Sequence, residues 1–250
     1  MKTIAFTNKL LLGVLITSTS LSAQTVLLEN ASVTSFDSGN LGRVNFTTPL
    51  PEDKDTLAEF AVGDSITMTF TLNYEGVGSS PADGFSFGLQ GGTGGDRTIF
   101  YGYLLPIDDN AVSDMRYRDG GNGRYMASGG TPITGTTTFN TFYMSEDFTP
   151  PSDSYDMSLS LTKTSTGYEG VVTIAGNSYV SSDLSFPSEI EDYAINRVGF
   201  RGGNVFTNET ITNIDVVYAS VPEPGTYALL LALGALGMVT AKRARNQRNA

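Results

Sequence analysis

The chain has 250 residues, a formal net charge of −11, and no histidine, cysteine or tryptophan. Without thiols there is no disulfide framework and no thiolate metal site; without imidazole the commonest general base is missing, so Ser-His-Asp and Cys-His hydrolases are excluded. Nine basic against 25 acidic residues in 24–220 give that stretch a net charge of about −16, which argues against nucleic acid as a partner and for a solvated, extracytoplasmic surface.

In chain order, MKTIAFTNKLLLGVLITSTSLSA (1–23) has Lys2 and Lys9 ahead of an apolar run, Leu10 to Ile16, and then small residues. This is the pattern of a secretory signal peptide, with cleavage expected after Ala23; the run is too short to span a bilayer as a helix. Residues 24–220 then predict strands throughout. In SITMTFTLNY (65–74), Ile66, Met68, Phe70, Leu72 and Tyr74 alternate with Thr67, Thr69, Thr71 and Asn73, the signature of a half-buried antiparallel strand. GFSFGL and YDMSLSLTK repeat it with Phe85, Phe87 and Leu89, and with Tyr155, Met157, Leu159 and Leu161. A turn at Ser165–Gly167, a strand YEGVVTI, a tight turn at Gly176-Asn177 and a strand SYVSS predict a three-stranded meander. INRVGF and TITNIDVVY close the domain, and Glu189 to Ile195 predicts at most one short turn. The Gly-rich stretches Gly91–Asp96 and Gly120–Gly130 predict loops. Many short strands with one apolar face each predict an all-β fold, a two-sheet antiparallel sandwich.

The last 30 residues read VPEPGTYALLLALGALGMVTAKRARNQRNA. Pro222 and Pro224 break the strand. Tyr227 to Ala241 predicts a single hydrophobic helix, roughly 22 Å long against a hydrocarbon core of ~30 Å. Lys242, Arg243 and Arg245 then act as a stop-transfer tail. This order closely resembles the PEP-CTERM sorting signal. The resemblance implies recognition of Pro222, Glu223 and Pro224 by an exosortase-type processing enzyme. It also implies passage through the secretion machinery, a transient hold in the inner membrane, and delivery to the envelope, surface or matrix of a Gram-negative bacterium. The chain thus divides into 1–23, 24–220 and 221–250.

Inside the domain, SPADGFSFGL (80–89) resembles the sugar-site segment of L-type lectins, which have the concanavalin A-like jelly-roll fold, and RVGFRGGN (197–204) resembles a late strand and loop of that fold. The resemblance implies a jelly roll. It makes Asp83 the acceptor of sugar hydroxyls, with Asn204 in the late loop beside it. The lectins' acidic metal-binding strand is absent; TIFYGYLLPIDDN stands in its place. Asp108, Asp109 and Asn110, and Asp119 and Asn122 in RDGGNG, read two ways: as oxygen ligands for calcium, or as turn formers. Tyr101 and Tyr103 share a strand face, as a stacking platform for sugar or as cover for the sheet core.

Glycoside hydrolysis needs two carboxylates flanking the scissile bond. The nearest groupings, Glu189, Glu191 and Asp192 in SEIEDY and Glu52, Asp53 and Asp55 beside Pro49 and Pro51, read as surface turn and loop. The sequence therefore predicts an exported, non-enzymatic module associated with extracellular polysaccharide or matrix. A purely structural surface protein and a divergent glycosidase are the competing classes.

Overall fold

A computed structural model describes residues 23–34, 41–77, 85–91, 98–105, 114–120, 131–135, 153–202, 206–221 and 235–238. The chain divides into two units, Ser22–Val221 and a second comprising Met1–Leu21 and Pro222–Ala250. In the first, strands run in the order β1 (Ala23–Val33), β2 (Leu41–Asn45), β3 (Ser65–Tyr74), β4 (Gly76–Val77), β5 (Phe85–Gly91), β6 (Thr98–Leu105), β7 (Asp114–Gly120) and β8 (Thr131–Pro132). They continue with β9 (Asp153–Lys163), β10 (Tyr168–Ile174), β11 (Asn177–Leu184), β12 (Ile195–Arg201), β13 (Phe206–Thr207) and β14 (Thr210–Ser220), with a 3-10 turn at Leu57–Glu59 before β3 and one α-helical turn, α1 (Ser188–Glu191), before β12. In the second unit residues 235–238 are helical, with Leu236 and Met238 exposed. Among the described residues no helix is long and apolar enough to cross a membrane. Residues 1–22 of the expected signal peptide, the Pro-Glu-Pro motif and the stop-transfer residues Lys242, Arg243 and Arg245 lie outside the described residues, whereas Ala23, the expected last residue of that peptide, begins β1 opposite Ser220.

Two six-stranded antiparallel sheets form the body. Sheet A has the order β1-β14-β3-β9-β10-β11 and sheet B the order β2-β12-β5-β6-β7-β8. The chain passes repeatedly from one sheet to the other, and the architecture is a jelly-roll sandwich. Strict alternation in β3 sends Ile66, Met68, Phe70, Leu72 and Tyr74 into the core, all essentially buried. From the facing sheet come Phe85, Phe87, Leu89, Val198 and Phe200, also buried. Phe70 is the meeting point: its ring centroid lies 5.0 Å from Phe87 and from Phe200 and 6.4 Å from Phe85. Each such side chain contributes roughly 1.5–3 kcal/mol through burial alone.

The expected meander is β9-β10-β11. Its second turn sits one residue earlier than the Gly176-Asn177 expectation. Ile174 pairs with Asn177, and the two turn residues are Ala175 and Gly176, at φ 50 and 83. A two-residue hairpin with both φ values positive matches the strand twist, and this register outweighs the strain of an alanine there. The first turn is held by Thr164, whose Oγ1 accepts from the N–H of Thr166 at 3.3 Å and of Gly167 at 3.0 Å. The predicted turn near Glu189 is α1, but it ends at Glu191, and Ile195 is already in β12. RDGGNG is not a turn from its first residue, because Arg118, Asp119 and Gly120 extend β7 against β6.

Asp64 ties the domain end together. It is 1% exposed and accepts hydrogen bonds from the Tyr218 hydroxyl at 2.7 Å, the Ala61 N–H at 2.9 Å and the Val221 N–H at 3.1 Å; Lys54 Nζ lies 3.4 Å away. Burial alone would raise its pKa, but these donors and then the lysine charge hold it below the ordinary aspartate value.

Candidate functional site

The inward side of sheet B is fixed by Phe85, Phe87 and Leu89 in β5 and by Val198 and Phe200 in β12. Strand alternation therefore sets Ser86, Gly88 and Gln90, and Arg197, Gly199 and Arg201, on the outward side. Residues directly opposite in antiparallel strands share a face, and the register extends these positions into rows. One row is Arg43–Gly199–Gly88–Gly102–Arg116. A second is Asn45–Arg197–Gln90–Phe100–Arg118, and a third places Leu41, Arg201, Ser86, Leu104 and Asp114 in line. Arg43 is exposed, Arg197 and Arg201 are partly buried, and Ser86 and Gln90 are buried. Burial of Arg197 and then the Arg43 charge lower the Arg197 pKa, and its buried Nε has no hydrogen-bond partner among the described residues.

Beyond the end of β12, Glu209 lies against the backbone of Gly202; a Cβ added there would stand 2.4 Å from the carboxylate. Burial raises the Glu209 pKa to about 7, so the group titrates near neutrality. Its Oε2 is buried without a partner among the described residues.

The outward side of sheet A is of another kind. Thr67 bonds Ser160 at 2.9 Å, Thr71 donates to Asp156 at 2.8 Å, Asn73 donates to Thr212 at 3.0 Å, and Thr173 bonds Ser178 at 2.9 Å. A shallow groove of about 500 Å3 crosses it, lined in part by Thr69, Thr71, Asp156, Ser158, Thr173 and Asp215. Asp215 accepts from the N–H of Asn30 at 2.7 Å.

Of the residues singled out in the sequence, Asp83, Asn204, Asp108, Asp109, Asn110 and Asn122 lie outside the described residues. Tyr101 pairs with Leu89 and Tyr103 with Phe87 in the β5–β6 register, and Asp119 pairs with Ile99. Glu191 comes within 3.9 Å of Lys163. The outward arginines and Glu209 were not singled out. The signal for the arginines was same-parity spacing, Arg116 with Arg118 and Arg197 with Arg201, but it acquires meaning only once the strands are paired.

Residues 220–245 match the PEP-CTERM protein-sorting motif. The motif marks the chain for export, for sorting to the cell envelope and for processing by an exosortase-type enzyme. No curated protein sequence matches the chain. Among solved structures, lectin I-B4 from Griffonia simplicifolia is 13% identical with a TM-score of 0.43, over 83% of this chain and 95% of the lectin. The carbohydrate recognition domain of Emp46p is 13% identical with a TM-score of 0.40, over 80% and 86%. A fructofuranosidase from Schwanniomyces occidentalis complexed with fructose is 8% identical with a TM-score of 0.40, over 78% of this chain. The match spans about a third of the enzyme's length, 34%.

Proposed function

We propose that the chain is an exported, non-enzymatic sandwich protein of the envelope or extracellular matrix of a Gram-negative bacterium, and that it associates with polysaccharide. The signal peptide starts export, the short apolar helix holds the chain in the inner membrane, and an exosortase-type enzyme acts at Pro222–Pro224. The observation that supports this reading is the PEP-CTERM motif at residues 220–245, which follows directly on the two-sheet jelly-roll body. Calcium at Asp108, Asp109 and Asn110, or at Asp119 and Asn122, belongs to the same proposal as a support for the Asp83 loop.

Glycan-array binding by the protein, with and without calcium, tests the partner. Binding lost in Asp83→Ala places the sugar at the lectin-type loop; binding to no glycan leaves a structural matrix protein in place of the module. Depolymerisation of any bound polymer would replace the non-enzymatic assignment. Deletion of Pro222–Pro224 with the helix kept tests the sorting step: the protein is expected to accumulate in the inner membrane, and unchanged sorting would refute that step.

A further inference from the structure

The register of sheet A fixes where the chain enters and leaves the sandwich. Ala23, the first residue of β1, lies opposite Ser220, the last of β14, and the Ser220 hydroxyl donates to the Ala23 carbonyl oxygen at 3.5 Å. Antiparallel partners stand about 5 Å apart, so the segments before Ala23 and after Val221 leave the domain side by side. On the reading above both are membrane-directed. The steps from Val221 to the start of the apolar run at Tyr227 span at most about 21 Å when fully extended. While the chain is held, this end of the sandwich stays close to the bilayer.

The surface at this end suits that place. The turn Ala61–Gly63 leads into β3, and its Val62 is 60% exposed, more than any other large apolar side chain among the described residues of 22–221. Val221, 41% exposed, stands beside the turn, with its Cγ2 2.5 Å from where a Cβ on Gly63 would be. The turn is fixed by its backbone. The Gly63 N–H donates to the Lys163 carbonyl at 2.8 Å, and the Ala61 N–H donates to the Asp64 carboxylate at 2.9 Å. Two exposed valines are unfavourable in water and favourable in a headgroup layer. Such a contact is too weak to bind a free domain. A short tether raises the effective concentration to about the millimolar range, where weak contacts are occupied.

The opposite end is differently equipped. Asn73, near the far end of β3, stands roughly 26 Å along the strand from Ser65. There it pairs with Thr210 of β14 and Ser154 of β9. The chain continues from this end of β3 into β4, which pairs with β13 just before β14. The lectin-like segment with Asp83 follows β4 in the chain, and Asn204 precedes β13.

We infer that the Ala61–Gly63 turn, with Val221, is a bilayer-contact surface. While the short apolar helix holds the chain, the sandwich stands end-on, with Val62 in the headgroup layer and the β4–β13 end turned away from the membrane. The inference rests on the membrane-held stage proposed above. It gives the exosortase-type cut a second effect, because loss of the tether also ends the contact and frees the domain.

The chain has no cysteine, so a single introduced thiol reports its own position. The test uses the full-length protein in phosphatidylcholine vesicles, with a fluorophore on Ala61→Cys or, at the far end, on Ser154→Cys, and a quencher carried on the lipid headgroup. Both sites are exposed, and the label at position 61 leaves both valines in place. Strong quenching is expected at position 61 and little at position 154. Adding Val62→Asp is expected to bring quenching at position 61 down to the level at position 154. Equal quenching at both positions, in protein that floats with the vesicles, would overturn the contact and leave the membrane hold standing. Protein that does not float with the vesicles would remove the membrane hold and the contact with it. Quenching at position 61 that appears only with added phosphatidylglycerol, and falls with salt, would replace the apolar contact by an ionic one through Lys54 and Lys163.

Discussion

The outward sides of the two sheets are both polar, yet they differ in how deeply their polar groups are buried. On sheet A, hydroxyls and amides meet across strands: Thr67 with Ser160, Thr71 with Asp156, Asn73 with Thr212. Side chains that satisfy one another are a finished surface, stable in water and indifferent to ligands. On sheet B the Arg197 Nε is buried with no partner among the described residues, and a second arginine opposes its charge. The difference is one of burial: the sheet A pairs stand at or near the surface, whereas Ser86 and Gln90 on sheet B are buried and Arg197 is only partly exposed.

The contrast breaks first where both faces share support. Phe70 lies beneath them, in contact with Phe85, Phe87 and Phe200. Phe70→Ala is expected to cost about 3–5 kcal/mol in urea denaturation, and a loss under about 1 kcal/mol would mean that the two sheets do not depend on this contact. Away from both faces, Asp64→Asn removes a buried carboxylate that gathers three donors and a lysine. A loss of about 2 kcal/mol is expected. The wild-type contribution of Asp64 is present above the unfolded-state pKa near 3.8 and fades as pH falls through the lower folded-state value. Acid unfolding followed by circular dichroism should begin at higher pH in the variant.

Glu209 gives an effect of opposite sign. Its folded-state pKa of about 7 lies above the ordinary 4.5, so the folded protein binds the extra proton and stability falls as pH rises through that interval. Melting temperatures measured from pH 5 to pH 8 should decline, and Glu209→Gln should flatten the decline. Gly202→Ala, whose new Cβ would stand 2.4 Å from the carboxylate, should push the group toward solvent and move its titration toward the ordinary value. The smallest effect is expected on sheet A. Thr67→Val loses the Ser160 contact and shifts stability by no more than about 0.5 kcal/mol in urea denaturation. A clearly larger loss would mean that this contact is more than a surface pair.

Strands with one wet and one dry side were readable from sequence. β3 and β10 fall on the predicted residues, because alternation over seven to ten positions leaves one way to bury the apolar set. β7 was not readable. DMRYRDG carries turn-forming Asp and Gly at its end, and only pairing with β6 makes it a strand. The Ala175-Gly176 turn was displaced by one residue for a similar reason, since the Gly-Asn pair is a strong local signal that the Ile174–Asn177 pairing overrides. The arginine face was hidden more deeply. Arg43 and Arg197 are far apart in sequence, and a charge total of about −16 averages away a basic patch on one sheet. Asp64 gave no local sign either, as its partners Tyr218 and Val221 come from the far end of the domain.

That far end bears on the enzyme that must read the sorting motif. β14 runs to Ser220, and the next residue, Val221, is fastened by its N–H to Asp64, with its Cγ2 2.5 Å from where a Cβ on Gly63 would stand. The folded body therefore continues up to Val221, the residue before Pro222. A processing enzyme must then have an entrance wide enough to accept a folded domain at its lip, or the Asp64 fastening must open to release a few residues of tether. Asp64→Asn would lengthen that tether without touching the motif, and faster processing of the variant would identify the second case.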